Sequence, residues 1–165
     1  MKLLWLLRHA SAERGSPDEM RRLTSRGEEE AHRASERWAE TTEFPDLVLC
    51  SPARRARATA EIVTGSFDVA PECRIDASLY LASPGTILRA LASTEASCRA
   101  LLLVGHNPGL ADLADHLALS GGSAARKLRE HGFPPCALAR FDLDIDDWAD
   151  VDGTLASLVE FSDEH

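Results

Sequence analysis

The sequence predicts an α/β fold: a three-layer sandwich with a mostly parallel central sheet, helices on both faces, and one antiparallel hairpin at an edge. Three observations lead there. Short apolar runs recur at residues 2–7, 46–50, 99–104, 136–143 and 154–161, the pattern of strands buried on both faces. Helix-like segments lie between them, so the order is strand, helix, strand. Ser-Pro or Asn-Pro pairs stand at residues 51–52, 83–84 and 107–108, a cap followed by proline at a first helical position.

Each element has its own justification. The run KLLWLL stops at Arg8 and His9, which makes a first strand ending in a cation and an imidazole. Residues 25–41 predict a helix: Ser25 with Glu28 forms a capping-box pattern, and Ala31, Ala34 and Trp38 share one side. DLVLC is the second strand, and Ser51-Pro52 opens a helix with Ser51 as its cap. Ser83-Pro84 introduces TILRALAS in the same way. RALLLV is a third strand, and Asn107 caps the helix GLADLADHLALS at residues 109–120. CALARFDL and TLASLVEF, separated by an acidic stretch at residues 144–153, predict the antiparallel hairpin with a solvated turn.

At 165 residues the chain is expected to form one domain spanning residues 1–165. A net charge of −9 argues against a nucleic-acid or anionic-membrane partner. It leaves room for a small phosphorylated group, which responds to a local cluster of arginines. Cys50, Cys73, Cys98 and Cys136 have no metal-ligand spacing and are expected as small buried hydrophobes in a reducing compartment. No leader pattern and no run long enough to span a bilayer is evident, so a cytoplasmic protein is expected.

Polar residues fall at telling places on this frame. Arg8-His9 follow the first strand, Ser51 to Arg55 the second, and Gly105-His106-Asn107-Pro108 the third. Open α/β sheets build ligand crevices at the carboxyl ends of their strands. Basic loops converging there predict an anion site, most naturally for a phosphoryl group. A neutral imidazole is a competent nucleophile at phosphorus if its other nitrogen is held by a hydrogen bond, and a backbone carbonyl beyond the strand could hold His9. Arg8 and Arg55 offer planar forks of donors for the equatorial oxygens, and His106 a further donor. Ser51, Arg55 and Thr59 are spaced to share one face near a helix N-terminus, which itself favours anions. Arg54 and Arg57 point elsewhere.

These residues resemble a known family. LLRHASAE resembles the RHG signature of the histidine phosphatase (phosphoglycerate mutase-like) superfamily. S-P-x-x-R-A-x-x-T at residues 51–59 and V-G-H-N-P at residues 104–108 resemble its later motifs. Ala10 in place of Gly, with D-x-x-R-x-L-T at residues 18–24 and Gly27, is most similar to the short SixA-type phosphohistidine phosphatase branch. Arg22 stands where that branch has Pro. The resemblance runs over essentially the whole chain. It implies a phosphorylated nucleophile at His9, a phosphate pocket completed by Arg8, Arg55 and His106, substrate contact from Arg21, and no metal or other cofactor. Asn107 is a further candidate beside that pocket, although a helix cap accounts for it as well.

One departure bears on the substrate. Mutases and many ester phosphatases of the superfamily carry an acid that protonates the leaving oxygen, or an Asp after the second His. Here Asn107 follows His106, and YLASPG at residues 80–85 holds no acid. Asp76 and Glu72 could serve only if the loop folds back. An unprotonated alkoxide leaves poorly, whereas imidazole leaves readily near neutral pH. The expected function is therefore hydrolysis of phosphohistidine on a protein through a phosphohistidine intermediate. A small-metabolite phosphomonoesterase is the alternative with the same chemistry. A non-catalytic phosphohistidine- or anion-binding regulator is the alternative of another class.

Other candidates have simpler readings. Asp112, Asp115 and His116 are expected on the polar face of an amphipathic helix. Residues 142–153 resemble a calcium loop superficially, but Asp147 occupies the turn-glycine position and Gly153 that of the bidentate Glu. His32, His131 and His165 are expected at the surface without partners.

Overall fold

The computed structural model describes residues 1–118, 122–154 and 156–164. Strands β1 (Lys2–Arg8), β2 (Leu47–Cys50), β3 (Glu72–Ile75) and β4 (Ala100–Gly105) pair parallel to their neighbours among them. β5 (Leu138–Leu143) runs antiparallel to β1, and β6 (Ala156–Ser162) antiparallel to β5. The six strands lie in the order β3-β2-β4-β1-β5-β6. The helices are α1 (Ser25–Ala39), α2 (Arg54–Thr64), α3 (Pro84–Ala92), α4 (Gly109–Leu117) and α5 (Ser123–His131).

Both faces of the sheet are covered, which explains the unbroken apolar runs. Successive strand residues point to opposite faces. Trp5, Leu7, Val48, Cys50, Leu102 and Val104 pack with Ala31, Ala34 and Trp38 of α1 and Ala56, Ala60 and Val63 of α2. Leu4, Leu6, Leu101 and Leu103 pack on the other side with Ile87 and Leu91 of α3, Leu110, Leu113 and Leu117 of α4, and Leu128 of α5. Burying each such leucine is worth roughly 1.5–3 kcal/mol. Among the described residues no helix is long and apolar enough to cross a membrane.

Several local expectations are corrected. Thr24, not Ser25, caps α1: its hydroxyl accepts from the Gly27 N–H at 3.0 Å. The helix ends at Ala39 rather than residue 41. α2 begins at Arg54 after an Ala53 cap, because the Ser51 side chain is engaged elsewhere. Ser83 does cap α3, with Pro84 at its start. Pro108 rather than Asn107 is the cap residue of α4. Residues 119 and 120 of the expected fourth helix, residue 155 of the last strand and His165 lie outside the described residues.

Two elements have no counterpart in the sequence reading. β3 is a short edge strand whose residues are mostly exposed, so it carries no apolar signal. α5 is nearly all polar and buries only Ala125 and Leu128. The connection between β5 and β6 is not a solvated turn throughout. Trp148 lies buried in a short 3-10 turn there, donating its indole N–H to the Cys98 carbonyl at 2.9 Å. Cys50, Cys98 and Cys136 are buried as expected, but Cys73 is exposed on β3.

Candidate active site

β1, β4 and β2 are successive neighbours in the sheet, so their carboxyl ends bring Arg8-His9, Gly105-His106 and Ser51 together. Backbone hydrogen bonds hold this junction. The His9 N–H donates to the Gly105 carbonyl at 3.1 Å, the Cys136 N–H to the His9 carbonyl at 3.1 Å, and the Arg8 N–H to the Ala137 carbonyl at 3.1 Å. Cys136 adopts φ 61°, a left-handed conformation uncommon for a residue with a side chain. The regular strand therefore starts at Leu138 rather than residue 136.

The imidazoles of His9 and His106 are both buried, with ring centroids 5.2 Å apart. Nδ1 of His9 lies 2.7 Å from the Ala10 carbonyl oxygen. A carbonyl can only accept, so Nδ1 carries the proton and Nε2 presents its lone pair. That lone pair faces Nε of Arg55 at 3.4 Å. Nε2 of His106 is 2.7 Å from the Ser51 hydroxyl, and its Nδ1 is 3.4 Å from Nη2 of Arg55. A hydroxyl can donate or accept, so Ser51 supports either tautomer of His106.

Burial pushes His9 down to about 3, against the opposing bond to Ala10, with His106, Arg55 and Arg8 acting in the same direction as burial. Burial likewise pushes His106 down to about 4, assisted by Arg55 and opposed by Asp18. Both rings are neutral at physiological pH. His9 thus meets the requirement for a nitrogen nucleophile: unprotonated, with a fixed tautomer.

Arg55 is almost wholly buried on the first turn of α2. Thr59, one turn on, accepts from the Ala10 N–H at 3.0 Å and donates to the Arg55 carbonyl at 2.7 Å, tying the His9 loop to the helix. Ser51, Arg55 and Thr59 are all buried toward the site, whereas Arg57 is exposed. Nη1 of Arg8 donates to the Phe133 carbonyl at 3.1 Å, and its buried Nε has no partner among the described residues. Burial lowers the pKa of Arg8, against the opposing charge of Glu30.

The remaining candidates sit at the margin. Nδ2 of Asn107 donates to the Phe133 carbonyl at 2.7 Å, which anchors residues 132–138 beside Arg8 rather than capping α4. Arg21 does not reach the imidazoles through any described hydrogen bond. Its Nε donates to the Glu13 carbonyl at 2.6 Å and its Nη1 to Oδ1 of Asp18 at 2.8 Å. Glu72 lies at the amino end of β3, paired with Arg74 at 2.6 Å and far down the strand from the rim. Asp76 accepts from the Ser78 N–H at 2.9 Å and caps the next turn.

Sequence reasoning missed two site residues. Oδ2 of Asp18 accepts from Nη2 of Arg55 at 3.1 Å, and the Asp18 carbonyl accepts from Nη1 at 2.8 Å. The Tyr80 hydroxyl also donates to Oδ2 of Asp18, and the tyrosine ring stands edge-on to His106 with centroids 5.7 Å apart. Hydrogen bonds from Tyr80, then Arg21 and Arg55, hold the Asp18 carboxyl well below the usual carboxylate range. The D-x-x-R-x-L-T motif contained Asp18, but Tyr80 carried no signal of its own.

Packing brings the outer loops close. A Cβ on Gly27 would lie 2.0 Å from the Ser11 carbonyl oxygen, so glycine lets α1 abut the His9 loop. From that helix the buried Glu30 accepts from the Ser11 N–H at 2.8 Å and from its hydroxyl at 2.7 Å. Among the described residues no group of three or more His, Cys, Asp or Glu is placed to hold a metal. Asp112, Asp115 and His116 lie exposed on α4, and His131, contrary to expectation, pairs with Asp163 at 2.8 Å.

Comparison with known proteins agrees with this fold. Residues 4–80 match the histidine phosphatase superfamily (branch 1). An uncharacterized protein of Mycobacterium tuberculosis (strain ATCC 25618 / H37Rv) is 36% identical over 159 residues, covering 94% of this chain and 98% of its own. A structure from Nakamurella multipartitia, assigned as phosphohistidine phosphatase SixA, superposes with a TM-score of 0.86 at 26% identity, covering 98% of this chain and 95% of that one. One from Agrobacterium tumefaciens with the same assignment gives a TM-score of 0.83 at 27% identity, covering 99% of each chain. The architecture is thus the phosphoglycerate mutase-like class of α/β fold. The chain belongs to the histidine phosphatase superfamily, within its SixA-type branch.

Proposed function

We propose that this protein is a phosphatase that acts on phosphohistidine carried by another protein, with His9 as the nucleophile. Nε2 of His9 attacks phosphorus in line, the P–N bond of the substrate breaks, and the departing imidazole keeps the electron pair. Arg8, Arg55 and His106 hold the equatorial oxygens as charge develops on them, Arg8 offering its unpartnered Nε–H and His106 donating from Nδ1 in the tautomer whose Nε2 accepts from Ser51. Water then attacks the phosphorylated His9, and inorganic phosphate leaves with Nε2 restored. The account calls for no metal.

The observation that carries the choice of a P–N bond is the state of Asp18. It is the carboxylate hydrogen-bonded into this pocket, and Tyr80, Arg21 and Arg55 hold it ionised. An ionised carboxylate has no proton for an alkoxide, whereas the substrate's imidazole leaves as a neutral ring because its other nitrogen takes its proton from solvent near neutral pH. A protein rather than a metabolite as the carrier is supported by the rim. Met20 and Leu81, each more than half exposed, follow closely on Asp18 and Tyr80, whose side chains meet at the pocket.

The test is phosphate release in EDTA from a histidine-phosphorylated phosphotransfer domain and from a phosphoserine peptide, with His9→Ala as the control in both. Release from the P–N substrate alone, lost in the variant, is expected. Comparable turnover of the ester would move the reading to a metabolite or general phosphatase. Phosphate binding without turnover of either would favour a regulator.

A further inference from the structure

Arg55 is gripped along one edge and open along another. The end formed by Nη1 and Nη2 is held by a single residue: Nη1 donates to the Asp18 carbonyl at 2.8 Å and Nη2 to its Oδ2 at 3.1 Å. The side edge formed by Nε and Nη2 faces Nε2 of His9 and Nδ1 of His106, each at 3.4 Å. Those two ring nitrogens mark where the phosphoryl group would sit. A guanidinium has a rigid planar fork, so fixing one edge fixes the direction of the other.

Asp18 is itself held on both oxygens. Arg21 donates to Oδ1 at 2.8 Å, and Tyr80 shares Oδ2 with Arg55. Arg21 is tied in turn to the Glu13 carbonyl at 2.6 Å, and the Asp18 main chain starts a short 3-10 turn over residues 18–20. The side chain of Asp18 is 43% exposed while that of Arg55 is 2% exposed. An exposed carboxylate with this many fixed donors contributes little to core packing.

We propose that Asp18, steadied by Tyr80, is a positioning residue that aims the Nε–Nη2 edge of Arg55 at the phosphoryl group. This rests on the phosphatase reading above for the identity of the group being aimed at. Asp18 does not touch the reacting atoms. It removes the rotational freedom of the one fully buried cation of the described pocket, so that Arg55 need not reorganise as charge develops on phosphorus.

The experiment compares wild type with Asp18→Ala, Asp18→Asn and Tyr80→Phe in the full chain. It measures steady-state kinetics on p-nitrophenyl phosphate, binding of orthovanadate by calorimetry, and the melting temperature. Asp18→Ala is expected to lower kcat by roughly 10–100-fold, as misplacement of a catalytic group does. Vanadate affinity should fall by a similar factor; Asp18→Ala also takes the carboxylate partner from the buried Arg55, so a lower melting temperature is expected too, and binding is measured well below it. Asp18→Asn keeps an acceptor for Nη2 and should recover part of the loss, and Tyr80→Phe should show a smaller loss in the same direction. Unchanged kcat and vanadate affinity in all three variants would overturn the proposal. Tighter vanadate binding in Asp18→Ala would overturn it too, by showing that Asp18 competes for Arg55. Vanadate binding reads the aim of Arg55 without turnover. A wild type that binds vanadate but hydrolyses nothing would therefore sink the phosphatase reading, and the aim of Arg55 would still be decided by the variants.

Discussion

The Nε2 lone pair of His9 faces the Nε–H of Arg55 at 3.4 Å, while the opposite nitrogen of the ring is bound to the Ala10 carbonyl at 2.7 Å. The ring therefore has one tautomer and one reactive corner. With burial pushing His9 down to about 3 and His106 to about 4, neither should titrate between pH 5 and 8. Nitrogen-15 spectra of the histidine rings should show both neutral throughout, with His9 protonated on Nδ1. A midpoint near the ordinary 6.5 for His9 would contradict the site as described.

The same two rings make stability depend on pH. Above about 6.5 neither folded nor unfolded chain protonates them. Below it the unfolded chain takes up protons that the folded chain refuses, so stability falls as pH falls, until the folded values are approached. Each ring contributes up to about 1.4 kcal/mol per pH unit in that window. Urea unfolding between pH 6.5 and 5 should therefore be less steep with pH in His106→Asn than in wild type. Equal slopes would mean that His106 is solvated in the folded state.

Thr59 links the His9 loop to the helix that carries Arg55. Its hydroxyl accepts from the Ala10 N–H at 3.0 Å and donates to the Arg55 carbonyl at 2.7 Å. Thr59→Val keeps the shape but leaves the buried Ala10 N–H without its acceptor, at a cost of about 1–3 kcal/mol. Thermal denaturation should show a clear drop in melting temperature. Activity should fall as well, because the Ala10 carbonyl that fixes the His9 tautomer belongs to the residue whose N–H is released. An unchanged melting temperature would show that Ala10 finds another partner.

The legible parts of the sequence were those with a strong local pattern. Trp5 and Leu7 alternate with Leu4 and Leu6 in a strand apolar on both faces, so β1 was visible and its end at Arg8, just before His9, followed. The same held for β2 and β4, which is why the His9, Arg55 and His106 grouping could be anticipated. β3 escaped because an exposed edge strand needs no apolar residues, and α5 because a short helix burying only Ala125 and Leu128 has too few apolar residues to mark a segment. Ser51 and Asn107 looked like helix caps, since Ser-Pro and Asn-Pro satisfy that grammar. Tertiary partners, His106 and the Phe133 carbonyl, claim both side chains, and Ser51 adds only a longer bond from the Ala53 N–H at 3.3 Å. Asp18 and Tyr80 meet across 62 positions of chain, and no local spacing reports such a contact.

The central claim is that His9 carries the phosphoryl group, on Nε2. Rapid quench into base during turnover of a phosphohistidine substrate, followed by digestion and mass spectrometry with identification of the ring isomer, measures this directly. The account predicts phosphate on Nε2 of His9, absent in His9→Gln, because Nδ1 is committed to the Ala10 carbonyl. Turnover with no trapped phosphoenzyme, or phosphate on His106, would contradict it.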